Sequence, residues 1–213
     1  MKLLGVTFDF NLNFNSHISN ICKKAARQLN VLKRVGKHLC KLGKLTIYHS
    51  FIMSNFSYCP LVWHFSSEQN CQKIEKIQER ALRFIYNDYT SSYDQLLEKS
   101  NLPSLKIRRM RAMALEVFKI INNQCPLFLQ DLVQQRNSTY NFRYQKTLEL
   151  PRPRTTRYGK QSFSYAAATL WNSLPNHARE LSTLSQFKTF IETWTGEKCK
   201  CSSCRNHSVG LHS

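Results

Sequence analysis

The amino-acid sequence predicts a mainly α-helical protein: a helical bundle, then a small α+β C-terminal region, then a flexible Cys-rich tail. Apolar residues recur at three- and four-residue spacing through several long segments, which lines them along one face of a helix. Beyond Cys125-Pro126 that periodicity gives way to polar, aromatic and basic residues in alternation. These two observations place a strand in residues 1–14, the bundle at 15–123, the C-terminal region at 124–195 and the tail at 196–213.

Leu3 to Phe10 is rich in β-formers and ends in an Asn-rich turn, so a short strand is expected there. Other strand-like stretches lie far downstream, which suggests that the sheet it belongs to is missing. Ser16 to Leu39 winds into an amphipathic helix, with Ile18, Ile21, Cys22, Ala25, Leu29, Leu32 and Leu39 on its apolar stripe. Gly43 is expected in a loop. Leu45 to Phe56 then forms a helix apolar nearly all round, hence buried, which Pro60 bends or ends near Trp63. Ser66 and Gln69 carry the spacing of a capping box for a third helix. Its stripe is Cys71, Ile74, Ile77, Ala81, Leu82 and Ile85, and Glu79 with Arg83 forms an i,i+4 pair. A short helix follows at Tyr93 to Glu98, and Ser104 caps a longer one that reaches Asn122. Leu127 to Val133 closes as one more helix, and strand pairs are expected at Phe142 to Leu150.

Charge narrows the function. The chain carries 31 Lys and Arg against 13 Asp and Glu, a formal net charge of +18, so a polyanionic partner is the first expectation. Nothing approaches the roughly 18 uninterrupted apolar residues of a spanning helix, so nucleic acid is favoured over membrane. The N-terminal MKLLGVTFDF is too short in its apolar run, and too soon acidic, for a secretory signal. The protein is therefore expected to be intracellular, in nucleus or cytoplasm, with its eight cysteines reduced.

The first helix carries the sharpest charge signal. Lys23, Lys24, Arg27, Lys33, Arg34 and Lys37 spread over its polar side, and no Asp or Glu occurs from Phe10 to Ser67. Ordinary solvated faces mix signs, whereas a one-signed face suits phosphate contact. Lys106, Arg108, Arg109 and Arg111 crowd the start of a later helix, where its dipole disfavours cations by about 0.3 to 1 kcal/mol each. Either those charges oppose phosphates, or packing by Leu105, Ile107, Met110, Met113, Val117 and Ile120 dominates and they are simply solvated.

Between Leu132 and Arg179 the sole carboxylate is Glu149, against Arg136, Arg143, Lys146, Arg152, Arg154, Arg157, Lys160 and Arg179. Tyr140, Phe142, Tyr144, Tyr158, Phe163 and Tyr165 are interleaved, a pairing that grips single strands by charge and stacking where the rings are exposed. Cys199, Cys201, Cys204 and His207 offer four zinc-type ligands, but one residue between the first two is fewer than structural sites use. A reduced, flexible tail is the competing reading. Cys22, Cys40, Cys59, Cys71 and Cys125 lie on or beside apolar stripes and are expected as small core residues. No Gly-rich phosphate loop, G-x-S-x-G or H-E-x-x-H pattern is present.

KLLGVTFDFNLNFNSHI, the Cys22-Lys23-Lys24-Ala25 helix centre and YHSFIMSNFSYCPLVW resemble the segment just after the palm in reverse transcriptases of jockey-type, LINE-like non-long-terminal-repeat retrotransposons. IEKIQERALRFIY resembles that family's next helix, and RTTRYGKQSFSYAAATLWNSLP with SQFKTFI resembles the end of its reading frame. The resemblance runs from about Lys2 to Cys204. It implies a palm-edge strand, a thumb-like helical bundle clamping duplex phosphates, and a parent RNA-directed DNA polymerase whose palm carboxylates hold Mg²⁺.

The chain has no adjacent Asp-Asp pair, and the palm and fingers that the family implies are missing. No catalytic residue, no activity and no cofactor are therefore expected of this chain alone, zinc at the tail excepted. RNA or RNA–DNA duplex is the expected partner, bound without sequence preference. Two alternatives stay open: a C-terminal fragment of an active polymerase whose catalytic domain lies upstream, or a decayed copy without function.

Overall fold

The computed structural model describes residues 1–136, 146–155 and 159–196. The chain divides into two compact units, Met1–Arg109 and Met110–Ser213. Arg157, Cys199, Cys201, Cys204 and His207, singled out in the sequence for phosphate and zinc, lie outside the described residues.

The first unit opens with β1 (Lys2–Leu3) and β2 (Val6–Thr7), an antiparallel pair with Lys2 opposite Thr7 and Leu3 opposite Val6. Leu4 and Gly5 join them at φ 46° and 84°, the left-handed pair that a two-residue hairpin turn requires. The single strand expected over Leu3 to Phe10 is thus two short strands that partner each other. Among the described residues the small sheet therefore sits near the N-terminus and not in the C-terminal region.

Three helical segments follow. α1 (Asn15–Val35) buries Ile18, Ala25, Leu29 and Leu32 and ends in a 3₁₀ turn, Gly36–His38. α2 (Lys41–Ile47) begins earlier than the sequence suggests and takes Gly43 into its first turn, because Cys40 caps it: Sγ accepts the Gly43 N–H at 3.5 Å. A π turn at Tyr48–Ile52 leads into α3 (Ser54–Ser57). Tyr48, Ile52, Met53 and Phe56 are buried but Leu42 and Phe51 are exposed, so this segment is half-buried and not apolar all round. Cys40 is exposed, and Cys22, Cys59, Cys71 and Cys125 are half-buried, so these cysteines sit at the margins of the core.

α4 (Glu68–Tyr86) buries Ile74, Ile77, Ala81, Leu82 and Ile85. The Ser66/Gln69 capping box does not form; Ser67 is the N-cap and makes no side-chain cap bond. The box instead opens α5 (Tyr93–Ser100), where Ser92 Oγ accepts from Gln95 N–H at 3.3 Å and Gln95 Oε1 accepts from Ser92 N–H at 2.9 Å. Between α4 and α5, Asp88 accepts from Thr90, Ser91 and Lys99. Those donors, Lys99 foremost, hold its carboxyl well below the usual carboxylate range. α6 (Leu105–Ile121) starts behind Ser104, whose hydroxyl accepts the Ile107 N–H at 3.2 Å as the sequence predicts.

α1 and α4 lie side by side and run parallel. Asn70 donates to Asn15 at 2.6 Å, Lys73 acts on the Cys22 thiol, and the Phe84 ring stands 2.8 Å from where a Cβ on Gly36 would sit. The partners thus advance together along both helices. Beneath them lie Leu32, Ile52, Trp63 and Ile74, all fully buried, each such side chain stabilising the fold by about 1.5 to 3 kcal/mol.

The second unit holds the remainder of α6, then α7 (Leu127–Gln130), α8 (Phe163–Ser173), α9 (Asn176–Arg179) and α10 (Leu184–Thr193). α7 stops three residues short of the Val133 end expected for it. Phe118 stacks on Phe187 at 4.5 Å, and Trp171 lies 5.7 Å from Phe187. Trp171 Nε1 donates to the Lys146 carbonyl at 2.8 Å, and Asn172 bonds both backbone groups of Leu148 at 2.9 Å. Residues 142–145 of the expected strand pairs are not among the described residues; among those that are, this region holds one isolated antiparallel bridge, Gln135 with Leu148.

Candidate nucleic-acid interface

The sequence winds α1 so that its cations segregate from its core. At about 100° per residue, Lys23, Arg27 and Arg34 fall within about 40° of one another, opposite the Ile18–Ala25–Leu29 stripe. All three are exposed, as are Lys24, Lys33 and Lys37. The first turn carries no acidic residue, and Lys33 and Arg34 in the last turn complement the negative end of the helix dipole.

α4 adds a second row that reading by single residues conceals. Lys73, Lys76 and Arg80 are exposed and fall within about 60° of one another, while Glu75 lies about 160° around the helix from Lys73. Phe84, which meets Gly36, shares the basic flank, so that flank borders α1. Burial pushes the Cys22 thiol up to about 11, with the Lys73 ammonium pulling the other way, which fixes Lys73 beside the seam. Farther along, Lys41 Nζ lies 3.9 Å from the centre of the Tyr86 ring and Lys44 Nζ 5.1 Å from that of Phe84.

The acids of α4 are used elsewhere. Glu79 pairs with Arg83 at 2.8 Å, as the spacing predicts. Glu75 accepts the Leu105 and Lys106 backbone N–H groups and the Tyr93 hydroxyl. Among the described residues, Lys23, Arg27, Arg34, Lys73, Lys76 and Arg80 make no ion pair. Two rows of unneutralised cations are therefore exposed, that of α4 bordering α1 and that of α1 on its outer side, opposite Gly36, and such a surface attracts a polyanion without reading its sequence.

The other sequence-predicted residues fall in different places. Lys106 and Arg108 are half-buried at the start of α6, whose dipole Glu75 already complements. Arg109 is 3% exposed: its guanidinium lies 5.2 Å from the Trp63 ring centre, and Nη2 donates to Cys71 Sγ at 3.6 Å. In the second unit Arg152 and Arg154 are exposed, and Arg136 and Arg152 border a cleft of about 790 Å³ with Glu149 and Asn172. Phe163 and Tyr165 are half-buried on α8. Among the described residues no group of three or more His, Cys, Asp or Glu side chains is placed to hold a metal ion. No helix among them is long and apolar enough to cross a membrane.

No protein-family model and no solved structure matches the chain. Over 88 residues, 39% of this chain, it is 31% identical to a Drosophila melanogaster protein described as the probable RNA-directed DNA polymerase from transposon X-element. The matched stretch spans 10% of that polymerase. The similarity links the chain to reverse-transcriptase proteins of retrotransposons at the superfamily level.

Proposed function

We propose that the first unit is a thumb-like nucleic-acid clamp of a LINE-like reverse-transcriptase polypeptide, which binds RNA or RNA–DNA duplex through phosphates and without sequence preference. The observation that carries this reading is the two basic rows, Lys23, Arg27 and Arg34 on α1 and Lys73, Lys76 and Arg80 on α4, exposed and without ion pairs among the described residues. Lys24, Lys33 and Lys37 extend them, and Arg152 and Arg154 add a separate basic surface in the second unit. Arg109 is not part of them, since a buried guanidinium cannot reach a phosphate.

The chain alone performs no polymerisation in this reading, because it lacks the paired carboxylates that hold catalytic metal. A second reading, a portion of a longer active polymerase, is favoured by the match to one tenth of the transposon X-element protein. Fluorescence anisotropy with a 20-bp RNA–DNA duplex tests the clamp. The expected dissociation constant at physiological salt is on the order of 10⁻⁴ to 10⁻⁶ M for any duplex sequence, and failure to bind at low salt contradicts it.

A further inference from the structure

A cleft of about 540 Å³ lies in the first unit where the N-terminal hairpin meets α1 and α3, with Lys2, His17, Asn20, Lys24, Ser54 and Asn55 among its walls. Two of these are polar side chains taken almost wholly from water: His17 is 4% exposed and Asn55 9%. His17 Nδ1 accepts the Thr7 backbone N–H at 3.3 Å, which requires that nitrogen to be unprotonated and puts the ring proton on Nε2. That Nε2–H meets no acceptor among the described residues.

Asn55 is complementary. Its amide nitrogen donates to Gln28 Oε1 at 2.5 Å and to the carbonyls of Phe51 and Ile52 at 2.8 and 3.0 Å. Its Oδ1 accepts from no described residue. Neither Nε2 nor Oδ1 is among the polar atoms sealed from solvent without a partner, so both remain open to a ligand. Buried donors and acceptors ordinarily find partners.

Its walls include His17 and Lys24, seven residues apart on α1, about 10 Å at 1.5 Å per residue. That span and a volume of about 540 Å³ suit not a duplex but one or two nucleotides of a single strand. The exposed ammonium groups of Lys2 and Lys24 supply charge for its phosphates.

We propose that this cleft is a single-strand subsite beside the duplex-binding ridge. Lys2 and Lys24 hold phosphate, His17 Nε2–H donates to an oxygen of base or backbone, and Asn55 Oδ1 accepts from an amino, imino or hydroxyl group. The proposal rests on the nucleic-acid reading above and adds to it a second contact, which shares Lys24 with the basic face of α1.

The test compares a labelled ten-nucleotide oligouridylate with a 20-bp RNA–DNA duplex on the full chain. In the double variant K2E/S54E, both changes fall on exposed residues of the cleft wall, away from the outer ridge of α1. The expected result is at least a tenfold loss for oligouridylate and less than a twofold loss for duplex. In the unaltered protein, oligouridylate should also shift the ¹⁵N ring signals of His17, a readout independent of the variant's folding. Equal loss for both probes, loss for neither, or an unmoved His17 ring overturns the subsite. Duplex binding without oligouridylate binding overturns it too, and binding of neither overturns the proposed function beneath it.

Discussion

Glu75 of α4 closes the N-terminus of α6: its two carboxylate oxygens accept the Leu105 N–H at 3.1 Å and the Lys106 N–H at 2.8 Å. The Tyr93 hydroxyl donates to the same carboxylate at 2.6 Å. Burial and this carboxylate push the Tyr93 hydroxyl above its ordinary range, so it stays a neutral donor. The cations crowding the start of α6 are thereby explained without a phosphate, since the anion that the helix dipole favours comes from a neighbouring helix.

Replacing Glu75 by Gln leaves the side-chain shape but removes the charge and turns one acceptor into a donor. The expected cost is about 1.5 to 3 kcal/mol, the range for hydrogen bonds to a charged group. Urea unfolding measures it, with faster exchange of the Leu105 amide as the local sign. A loss below about 0.5 kcal/mol would mean that the cap is incidental.

Gly36 tests the approach of α1 to α4. A Cβ there would stand 2.8 Å from the Phe84 ring, so Gly36→Ala should cost about 1 to 3 kcal/mol by overpacking. Helix propensity alone favours Ala by up to about 1 kcal/mol. Thermal melting therefore decides by sign: a raised midpoint would show that the two helices do not meet there.

His17 makes folding sensitive to acid. Burial lowers its pKa from the ordinary 6.5, and protonation of Nδ1 would break the Thr7 bond. The unfolded chain then binds the proton more readily, so this stability is complete above about pH 6.5 and declines as pH falls through the lowered folded value. Replacement by Gln should flatten that part of the stability–pH curve. An unchanged curve would place the acid sensitivity elsewhere, His49 being the next candidate because burial and Arg108 lower its pKa as well.

Arg109 separates core from interface. Its Nε and Nη1 have no hydrogen-bond partner, and replacing a poorly paired buried cation by an apolar side chain is often neutral or stabilising. Arg109→Met should therefore hold or raise the unfolding midpoint and leave duplex binding as it is. A loss of binding at unchanged helicity would return Arg109 to the phosphate-contacting set.

The sequence carried the helical framework because periodicity is local. The stripe of α1, the Glu79–Arg83 pair and the Ser104 cap each involve residues within a turn or a few turns of one another. What it concealed depends on distant or geometric relations. Glu75 reaches Leu105 across thirty positions, and Arg109 is basic in type but fills a gap beside Trp63. Lys73, Lys76 and Arg80 are interspersed with Glu75 and Glu79, so the segment reads as mixed charge until the helix is wound. The hairpin is hidden because a short β-rich run reads as one strand unless the Leu4-Gly5 turn is recognised.

The salt dependence of duplex binding tests the central claim most directly. Each neutralised phosphate releases condensed counterions, so log affinity falls linearly with log salt, by about 0.7 to 0.9 per contact. Lys23, Arg27 and Arg34 changed together to Gln should lower the slope by about 2 to 3, and Lys73, Lys76 and Arg80 to Gln by a similar amount. Both variants leave the buried stripes of α1 and α4 intact, so circular dichroism should match the unaltered protein. Equal slopes in all three proteins at unchanged helicity would contradict the account, leaving the two basic rows as solvated surface.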